Sequence, residues 1–423
     1  MLTFENIDKE QLVKRKNELL NIYGEYKSKN LNLDMSRGKP CTEQTDLSNG
    51  LFDYTDSFIS RDGFDCRNYG LLDGITEAKE LFADLFDLST DQIFVGGNSS
   101  LNLMYDLISK AYIFGLNGFE EPWGKQNNIK FLCPAPGYDR HFAITEEFGF
   151  EMITIPMNSD GPDMDMVEEL VLNDSSIKGM WCIPMYSNPT GYTYSNTVVR
   201  RLASMKAKAP DFRIIWDNAY AFHHLYEERD TLLNIIDEAA KAGYPNRVYM
   251  FSSTSKITFP GAGIAIMASS KENIAHIKKQ IAIQTIGYNK VNMLLHVKFL
   301  KNQENIEKLM KKHADIIRPK FDIVNEILDK NLKGKGIANW NLPRGGYFIS
   351  LNVLNGCAKK TVALAKEVGV TMTPAGATFP YGNDPNDSNI RIAPTYPPVS
   401  ELRQAMEVLS VCIELAAIDK ILS

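Results

Sequence analysis

Seven short apolar runs, rich in β-branched and aromatic residues, alternate with helical stretches between residues 92 and 269. The runs are QIFVGG (92–97), IKFLCP (129–134), FEMITIP (150–156), KGMWCIP (178–184), FRIIWD (212–217), RVYMFSS (247–253) and GAGIAIMAS (261–269). Most of them are continuously apolar, which is typical of strands covered on both faces by helices. The alternation predicts a doubly wound, three-layer α/β/α fold around a mostly parallel seven-stranded sheet.

The pattern changes after about residue 270, where long helical stretches precede a strand pair near 345–353, a helix over 359–368 and a strand at 389–394. This order predicts a smaller α+β domain. Residues 6–28 carry apolar side chains at helical spacing and predict an amphipathic helix. We expect three parts: an N-terminal helix and arm (1–49) that packs with the small domain, a large α/β domain (50–295), and the small domain (296–423).

The composition is typical of a metabolic protein. Over 423 residues the formal net charge is −6, which argues against a nucleic-acid partner. No charged leader and no apolar run of membrane length stands out, so no membrane partner is expected. Six cysteines without a C-x-x-C pair indicate free thiols in a reducing cytosol, and hence a cytoplasmic location. The pair His223 and His224 lacks further ligands at suitable spacing, so no metal site is expected.

Polar or glycine-rich segments follow five of the predicted strands, at residues 97–100, 134–138, 184–191, 217–220 and 252–256. In doubly wound sheets, ligands bind outside the carboxyl ends of the strands. Because these ends meet at one edge of the sheet, the sequence predicts a single site in which one small molecule contacts all five segments.

Each segment has an ordinary interpretation beside a functional one. Asn98, Ser99 and Ser100 suit a phosphate at a helix start, or they simply cap the helix. Asp217 suits a protonated ring nitrogen, or it also caps a helix. Lys256, framed by hydroxyl side chains, is either a solvated loop lysine or an amine held for covalent work on a carbonyl cofactor.

Two more side chains extend the pattern. The ring of Tyr138 can lie on an aromatic ligand or pack in the core. The amide of Asn188 can donate into the same cleft, although turn chemistry alone explains the segment SNPTG. A phosphate cradle, a stacking ring, a carboxylate for a ring nitrogen, donors for a phenolate and an amine together indicate one cofactor, pyridoxal 5′-phosphate.

The chain resembles the fold-type I, class I aminotransferases, which depend on pyridoxal phosphate, over essentially its whole length. The matching segments, in the family's order, are SRGKP, NYGLLDGITEAKELF, GGNSS, APGYDRH, SNPTG, WDNAY, SSTSK and NIRIAP. They are most similar to the bacterial aspartate aminotransferase branch called subgroup Ic, which is itself similar to the effector domains of MocR-type regulators.

The resemblance implies roles around the cofactor ring. Lys256 would bind the cofactor covalently and then shuttle the substrate proton as general base and acid. Asp217 would pair with the pyridinium nitrogen and keep the ring an electron sink. Asn188 and Tyr220 would hydrogen-bond the phenolic oxygen, and Tyr138 would stack on the ring.

The resemblance also implies how the phosphate is held. Four residues match its contacts: Asn98, Ser99, Ser100 and Ser253. Tyr69 matches a tyrosine that reaches the phosphate of the neighbouring subunit, so a homodimer with shared sites is expected. Many relatives carry an arginine for the phosphate just after the lysine motif. Gly263 stands at that position here, and its substitute stays open.

Substrate carboxylates require arginines. Arg391 matches the arginine that forks the α-carboxylate, unless it is an ordinary surface-strand residue. Gly38 would let backbone approach the same carboxylate. A dicarboxylate needs a second cation, for which Arg37 is the first candidate, followed by Arg344 and Arg140. Each of these three can equally be a solvated or ion-paired arginine.

These roles imply an enzyme that moves the amino group of an L-amino acid, first of all aspartate or glutamate, to a 2-oxo acid such as 2-oxoglutarate. The resemblance implies a ping-pong Schiff-base mechanism. A lyase or decarboxylase on the same scaffold is one alternative, since the cofactor residues would be shared. A non-catalytic, MocR-like module that binds an amino acid or the cofactor is another. It is disfavoured because the residues before the core show neither a helix-turn-helix nor a basic arm.

Overall fold

The computed structural model describes residue 4, residues 7–119 and residues 121–423. Its helices are α1 (Lys9–Ser28), α2 (Thr42–Asp46), α3 (Thr76–Phe86), α4 (Ser100–Phe114), α5 (Asp139–Glu147), α6 (Met164–Asn173), α7 (Asn196–Ser204), α8 (Ile235–Lys241), α9 (Lys271–Gln284), α10 (Lys290–Leu300), α11 (Gln303–Leu332), α12 (Ala358–Glu367) and α13 (Val399–Leu422). Its strands are β1 (Leu33–Asp34), β2 (Ile93–Val95), β3 (Lys130–Ala135), β4 (Glu151–Asn158), β5 (Gly161–Pro162), β6 (Ile177–Cys182), β7 (Arg213–Asp217), β8 (Val248–Ser253), β9 (Ala265–Ala268), β10 (Ala338–Trp340), β11 (Ile349–Val353), β12 (Val370–Thr371) and β13 (Asn389–Ile392).

The predicted N-terminal helix is confirmed as α1. Residue 6, its predicted first residue, lies outside the described residues, as do residues 1–3 and 5 of the predicted arm. Asp8 caps α1 by accepting a hydrogen bond from the backbone N–H of Glu10 at 3.3 Å, which satisfies one of the free donors at the helix start.

The central sheet contains all seven predicted strands, in the order β2-β9-β8-β7-β6-β3-β4-β5. The five strands from β8 to β4 in that order are parallel to one another, whereas β9 pairs antiparallel with both β8 and β2. The sheet has eight strands instead of seven, because β5 pairs antiparallel with β4 at one edge. β5 is only a Gly-Pro pair, too short for any periodicity to reveal it.

Helices cover both faces of the sheet, as the continuous apolar runs predicted. All five residues of β7 are buried, and neighbouring side chains point to opposite faces. Ile214 packs in a cluster with Val199 of α7 and Ile236 of α8. Ile215 packs in a second cluster with Leu107 of α4 and with residues of α5 and α9. The three-layer α/β/α architecture is therefore confirmed.

The remaining elements pack into a further cluster that joins the two ends of the chain. Residues of α12 and α13 pack in one cluster with the antiparallel sheet β10-β11-β13, and β1 pairs parallel with β12. Leu12 and Leu19 of α1 pack with Phe321 of α11 and Ile413 of α13. The N-terminal helix thus packs with the C-terminal elements, while the domain boundaries at residues 49 and 295 stay predictions.

Two expectations from the composition are testable in the structure. All six cysteines are free and buried, as predicted. Among the described residues, no helix combines the length and the apolarity that crossing a bilayer requires.

Candidate active site

The carboxyl ends of β3, β6, β7 and β8 meet beside β13, and their polar segments form a connected group there. Asp217 is the last residue of β7 and is only 4% exposed. Its Oδ2 lies 3.1 Å from His141 Nε2, which donates a hydrogen bond to it. His141 in turn stacks on Trp181, with ring centroids 4.4 Å apart. The carboxylate is therefore fixed in one orientation by the first turn of α5.

The other oxygen of Asp217 has an unsatisfied hydrogen-bonding capacity. Oδ1 is buried and has no hydrogen-bond partner among the described residues. An unpaired buried carboxylate oxygen is costly, so such atoms usually face a ligand, a cation or water. A protonated ring nitrogen supplies the missing donor, and its positive charge matches the carboxylate. The residues at the end of β7 therefore fit the ring of pyridoxal phosphate.

Two tyrosines line the same space. Burial, together with the nearby carboxylates Asp217 and Asp139, raises the pKa of Tyr138 to about 12. Burial raises the pKa of Tyr220 well above its usual value, and Tyr220 is 4% exposed. Both phenols therefore stay protonated at neutral pH and remain hydrogen-bond donors.

Lys256 lies next to Tyr220. Its Nζ is 5.1 Å from the ring centroid of Tyr220 and 5.9 Å from that of Tyr347. Burial lowers the pKa of Lys256, and the negative charge of Asp217 partly offsets this effect. A lowered pKa increases the fraction of neutral amine, which is the nucleophilic form. This environment differs from that of a solvated loop lysine.

The turn that carries Lys256 is held by buried histidines on three separate segments. Each bonds one of three consecutive residues: His223 Nε2 to the Lys256 carbonyl at 3.3 Å, His313 Nε2 to the Ile257 carbonyl at 3.0 Å, and His296 Nε2 to Thr258 Oγ1 at 2.9 Å. Burial lowers the pKa of His223 to about 3 and the pKa values of His296 and His313 to about 4. All three rings are therefore neutral at pH 7.

These histidines should make the protein acid-sensitive. In the unfolded chain a histidine has a pKa near 6.5, so the unfolded state binds more protons than the folded state between about pH 6.5 and pH 4. We expect the free energy of unfolding to fall as the pH falls through this window, and the contribution to be fully present above pH 6.5. In urea unfolding of His313→Gln, the free energy of unfolding should depend less steeply on pH, by the equivalent of up to one bound proton. The same slope as in the unsubstituted protein would contradict this origin.

A group of hydroxyls lies between β8 and the start of α4. Ser253 Oγ donates to Ser255 Oγ at 3.1 Å, and Ser255 Oγ donates to the carbonyl of Asn98 at 3.3 Å. Ser99 is the N-cap of α4, and Ser100 is its first helical residue. The unpaired N–H groups of a 15-residue helix and these hydroxyls together form a cradle suited to a phosphate.

The position of the missing arginine is crowded. A Cβ atom at Gly263 would lie 3.0 Å from both the Phe259 carbonyl and Thr254 Oγ1. The Gly263 carbonyl itself accepts a hydrogen bond from Asn292 Nδ2 at 3.0 Å. A Cβ at this position would therefore require these neighbours to shift by a few tenths of an ångström, which favours glycine.

Arg391 is a buried residue of β13 and not a surface-strand arginine. It is 7% exposed, and its guanidinium lies over the ring of Phe348 at 5.0 Å. Nη1 donates to Asn188 Oδ1 at 3.3 Å and to Asp139 Oδ1 at 2.9 Å. Gly38 packs on the same ring, since a Cβ there would lie 2.3 Å from Phe348 Cζ. The structure therefore brings Arg391, Asn188 and Gly38 together.

Four predicted site residues lie outside this group. Tyr69 is 77% exposed. Arg37 is exposed, as is Arg140, which lines a separate surface cavity with Ser99. Arg344 is paired with acidic side chains of the 226–230 segment, at 3.1 and 3.5 Å, so its charge is already neutralised by the protein.

Several residues of the site carry no role in the sequence interpretation. His141 and Asp139 enter it only as members of the motif APGYDRH, and Ser255 only as a member of SSTSK. The three-residue spacing from Tyr138 to His141 places both in the first turn of α5 and was an available signal. Thr373, whose Oγ1 accepts from Arg391 Nη2 at 3.3 Å, had none.

Comparison with known proteins gives the family of the whole chain. The aspartate amino-transferase family model matches residues 7–423. An aspartate aminotransferase of Corynebacterium glutamicum is 47% identical over 99% of this chain and 97% of its own length. The crystal structure of an aspartate transaminase from the same species covers 99% of both chains, with 46% identity and a TM-score of 0.97. An α-aminoadipate aminotransferase of Thermus thermophilus, solved with N-(5′-phosphopyridoxyl)-L-leucine, shares the fold, with 20% identity over 92% of this chain and 93% of its own and a TM-score of 0.72.

The match to the family model runs over nearly the whole chain, and the identity to a relative of the same length is high. The three-layer architecture agrees with this likeness. The chain belongs to the aspartate amino-transferase family and is an aminotransferase of the pyridoxal-phosphate fold type I.

Proposed function

We propose that the chain uses pyridoxal 5′-phosphate to move the amino group of L-aspartate or L-glutamate to a 2-oxo acid such as 2-oxoglutarate. The observation that carries this proposal is the unpaired Oδ1 of the buried Asp217, in the same cluster as Lys256 and Arg391. The carboxylate oxygen that lacks a donor among the described residues suits a ring nitrogen, the amine with a lowered pKa suits a carbonyl carbon, and the buried guanidinium suits a substrate carboxylate.

The residues divide the work by their chemistry. When bound, the cofactor supplies an electron-withdrawing ring that stabilises negative charge at the substrate Cα. Asp217 keeps the ring nitrogen protonated, and Tyr220 and Asn188 donate to the phenolic oxygen. Tyr138 covers one face of the ring. Lys256 Nζ would take the proton from the substrate Cα and pass it to the cofactor carbon that carries the amino nitrogen after the transfer.

For the phosphate, we propose that hydroxyls replace the missing arginine. Ser255 links Ser253 to the backbone at Asn98, and the start of α4 with Ser99 and Ser100 adds N–H groups and the helix dipole. A neutral donor binds a phosphate dianion less tightly than a guanidinium does. The hydroxyls and the N–H groups at the start of α4 compensate because they make more hydrogen bonds.

Arg391 is proposed to bind the substrate α-carboxylate. Arg391→Lys should lower kcat/KM for aspartate by about a hundredfold, because an ammonium cannot fork a carboxylate or span the contacts made by two guanidinium nitrogens. The matched control is Arg403→Lys, an exposed arginine that grips Glu326 through two nitrogens at 3.0 and 3.3 Å. Equal steady-state kinetics of both variants would contradict the assignment.

For the distal carboxylate we propose Arg37. Its neighbour Ser36 accepts a hydrogen bond from Thr373 Oγ1 at 2.8 Å, and the same oxygen accepts from Arg391 Nη2. The backbone beside Arg37 is therefore tied to the α-carboxylate site. The side chain itself is exposed and makes no ion pair within the described ranges, which leaves its charge available to a dicarboxylate.

We also propose a homodimer in which Tyr69 reaches the phosphate of the partner. Tyr69 lies on a loop that crosses the 285–288 segment closely, since a Cβ on Gly287 would be 2.6 Å from the Gly70 carbonyl. Around this crossing lie Ile283, 91% exposed, and Ile286, 63% exposed. Large exposed apolar side chains grouped in this way are typical of a protein interface.

The test of the proposed reaction is spectrophotometric. L-aspartate should bleach the absorbance of the cofactor-loaded protein, because the first half-reaction moves the amino group onto the cofactor. 2-Oxoglutarate should restore the absorbance, because the second half-reaction removes the amino group again. A loaded protein that no L-amino acid converts would contradict amino transfer. Release of pyruvate and ammonia from serine would instead indicate a lyase.

A further inference from the structure

We infer that Asp139 is an internal carboxylate that occupies Arg391 in the absence of substrate and competes with substrate carboxylates for it. This inference rests on the proposed function. It assigns to Asp139 control over how tightly carboxylate substrates and products bind, a role separate from the chemistry at Lys256.

Groups of the protein itself occupy some of the hydrogen-bond donors of Arg391. Nη1 holds Asp139 at 2.9 Å, Nη2 holds Thr373 at 3.3 Å, and Nε is buried with no partner in the described part of the chain. A guanidinium has five N–H donors, so the present contacts leave donors free. A substrate carboxylate that binds these free donors competes with Asp139 for Nη1.

Asp139 is placed where it can give way. Its side chain is 35% exposed, against 7% for Arg391, so water can solvate the carboxylate once it leaves the guanidinium. The backbone around it stays fixed: Gly137 N–H donates to the Thr378 carbonyl at 2.7 Å, and His141 is bonded to Asp217. Displacement therefore needs only a rotation of the Asp139 side chain.

Charge balance explains why such a carboxylate is useful. A buried arginine without a partner is strongly unfavourable, so Asp139 stabilises the empty site. The same negative charge repels an incoming substrate carboxylate. When the product leaves, the Asp139 carboxylate pairs with Arg391 again. Removing this charge should therefore strengthen carboxylate binding, whereas a residue that only oriented Arg391 would weaken binding when removed.

The test is the variant Asp139→Asn, which keeps an acceptor oxygen toward Nη1 and removes the charge. The probe is succinate, a dicarboxylate without an amino group, and its dissociation constant is measured by calorimetry on the cofactor-loaded protein. We expect the dissociation constant to fall about tenfold, on the scale of one charge-assisted hydrogen bond. The KM for aspartate should fall as well, while kcat stays the same or falls because product leaves more slowly.

The matched control is Glu146→Gln, which makes the same change of charge at an exposed position of α5 and should leave succinate binding unchanged. An unchanged dissociation constant in Asp139→Asn, or an equal shift in both variants, would overturn the competition. Weaker binding in Asp139→Asn would also overturn it and make Asp139 a positioning residue. The proposed reaction fails by a different result, namely if aspartate does not bleach the unsubstituted protein.

Discussion

Lys256→Ala is expected to abolish amino transfer, with kcat/KM for aspartate falling by at least about 10⁴-fold. The substitution removes both the nucleophile for the cofactor and the base that moves the Cα proton, and general acid–base catalysis alone is worth about 10² to 10⁴. Coupled assays of aspartate and 2-oxoglutarate consumption measure the loss. Lys271→Ala, at the exposed start of α9, should keep full activity.

The same variant should fold normally, which separates lost chemistry from lost structure. Burial lowers the pKa of Lys256, which means that the folded protein disfavours its charged form. Removing the amine therefore takes away an unfavourable group, and the three histidines that hold the turn bond its backbone or Thr258 and not the Lys256 amine. We expect an unchanged or higher melting temperature. A Lys256→Ala protein that is unfolded, or that retains activity, would contradict this account.

Asp217→Asn is expected to lower kcat/KM by about 10³-fold. An amide keeps a hydrogen-bonding group near His141 but removes the negative charge that holds a ring nitrogen protonated, and an unprotonated ring is a poorer electron sink. Single-turnover reaction with aspartate isolates this effect, because chemistry and not release then limits the rate. Asp174→Asn, which loses a carboxylate paired with Lys130 at 3.0 Å, is the control. Loss of less than about tenfold would show that Asp217 does not face the ring.

The sheet and its ligand edge were predictable because their signals are local. Each of the seven runs overlaps the strand found at that place, and the rule on strand ends predicts Asp217 and the neighbourhood of Lys256 as parts of the site. β1 and β12 escaped prediction, since each has two residues and the pair joins distant parts of the chain. Strands this short carry no periodicity.

The ion pairs of the site were not predictable from the sequence. Arg391 and Asp139 are 252 residues apart, and nothing near either residue indicates the other. By residue type Arg344 is a candidate for the distal carboxylate, but in the structure it pairs with acidic side chains. Such contacts depend on how β13 and α5 are placed in three dimensions, which residue types alone do not specify.

The proposed reaction depends on the reactive amine of Lys256, and one measurement tests this most directly. The protein is saturated with pyridoxal 5′-phosphate, reduced with borohydride and digested, and the modified peptide is located by mass. We predict a single phosphopyridoxyl group on the peptide that contains Lys256. An unmodified Lys256, with the label on another lysine or on none, would contradict the proposed active site.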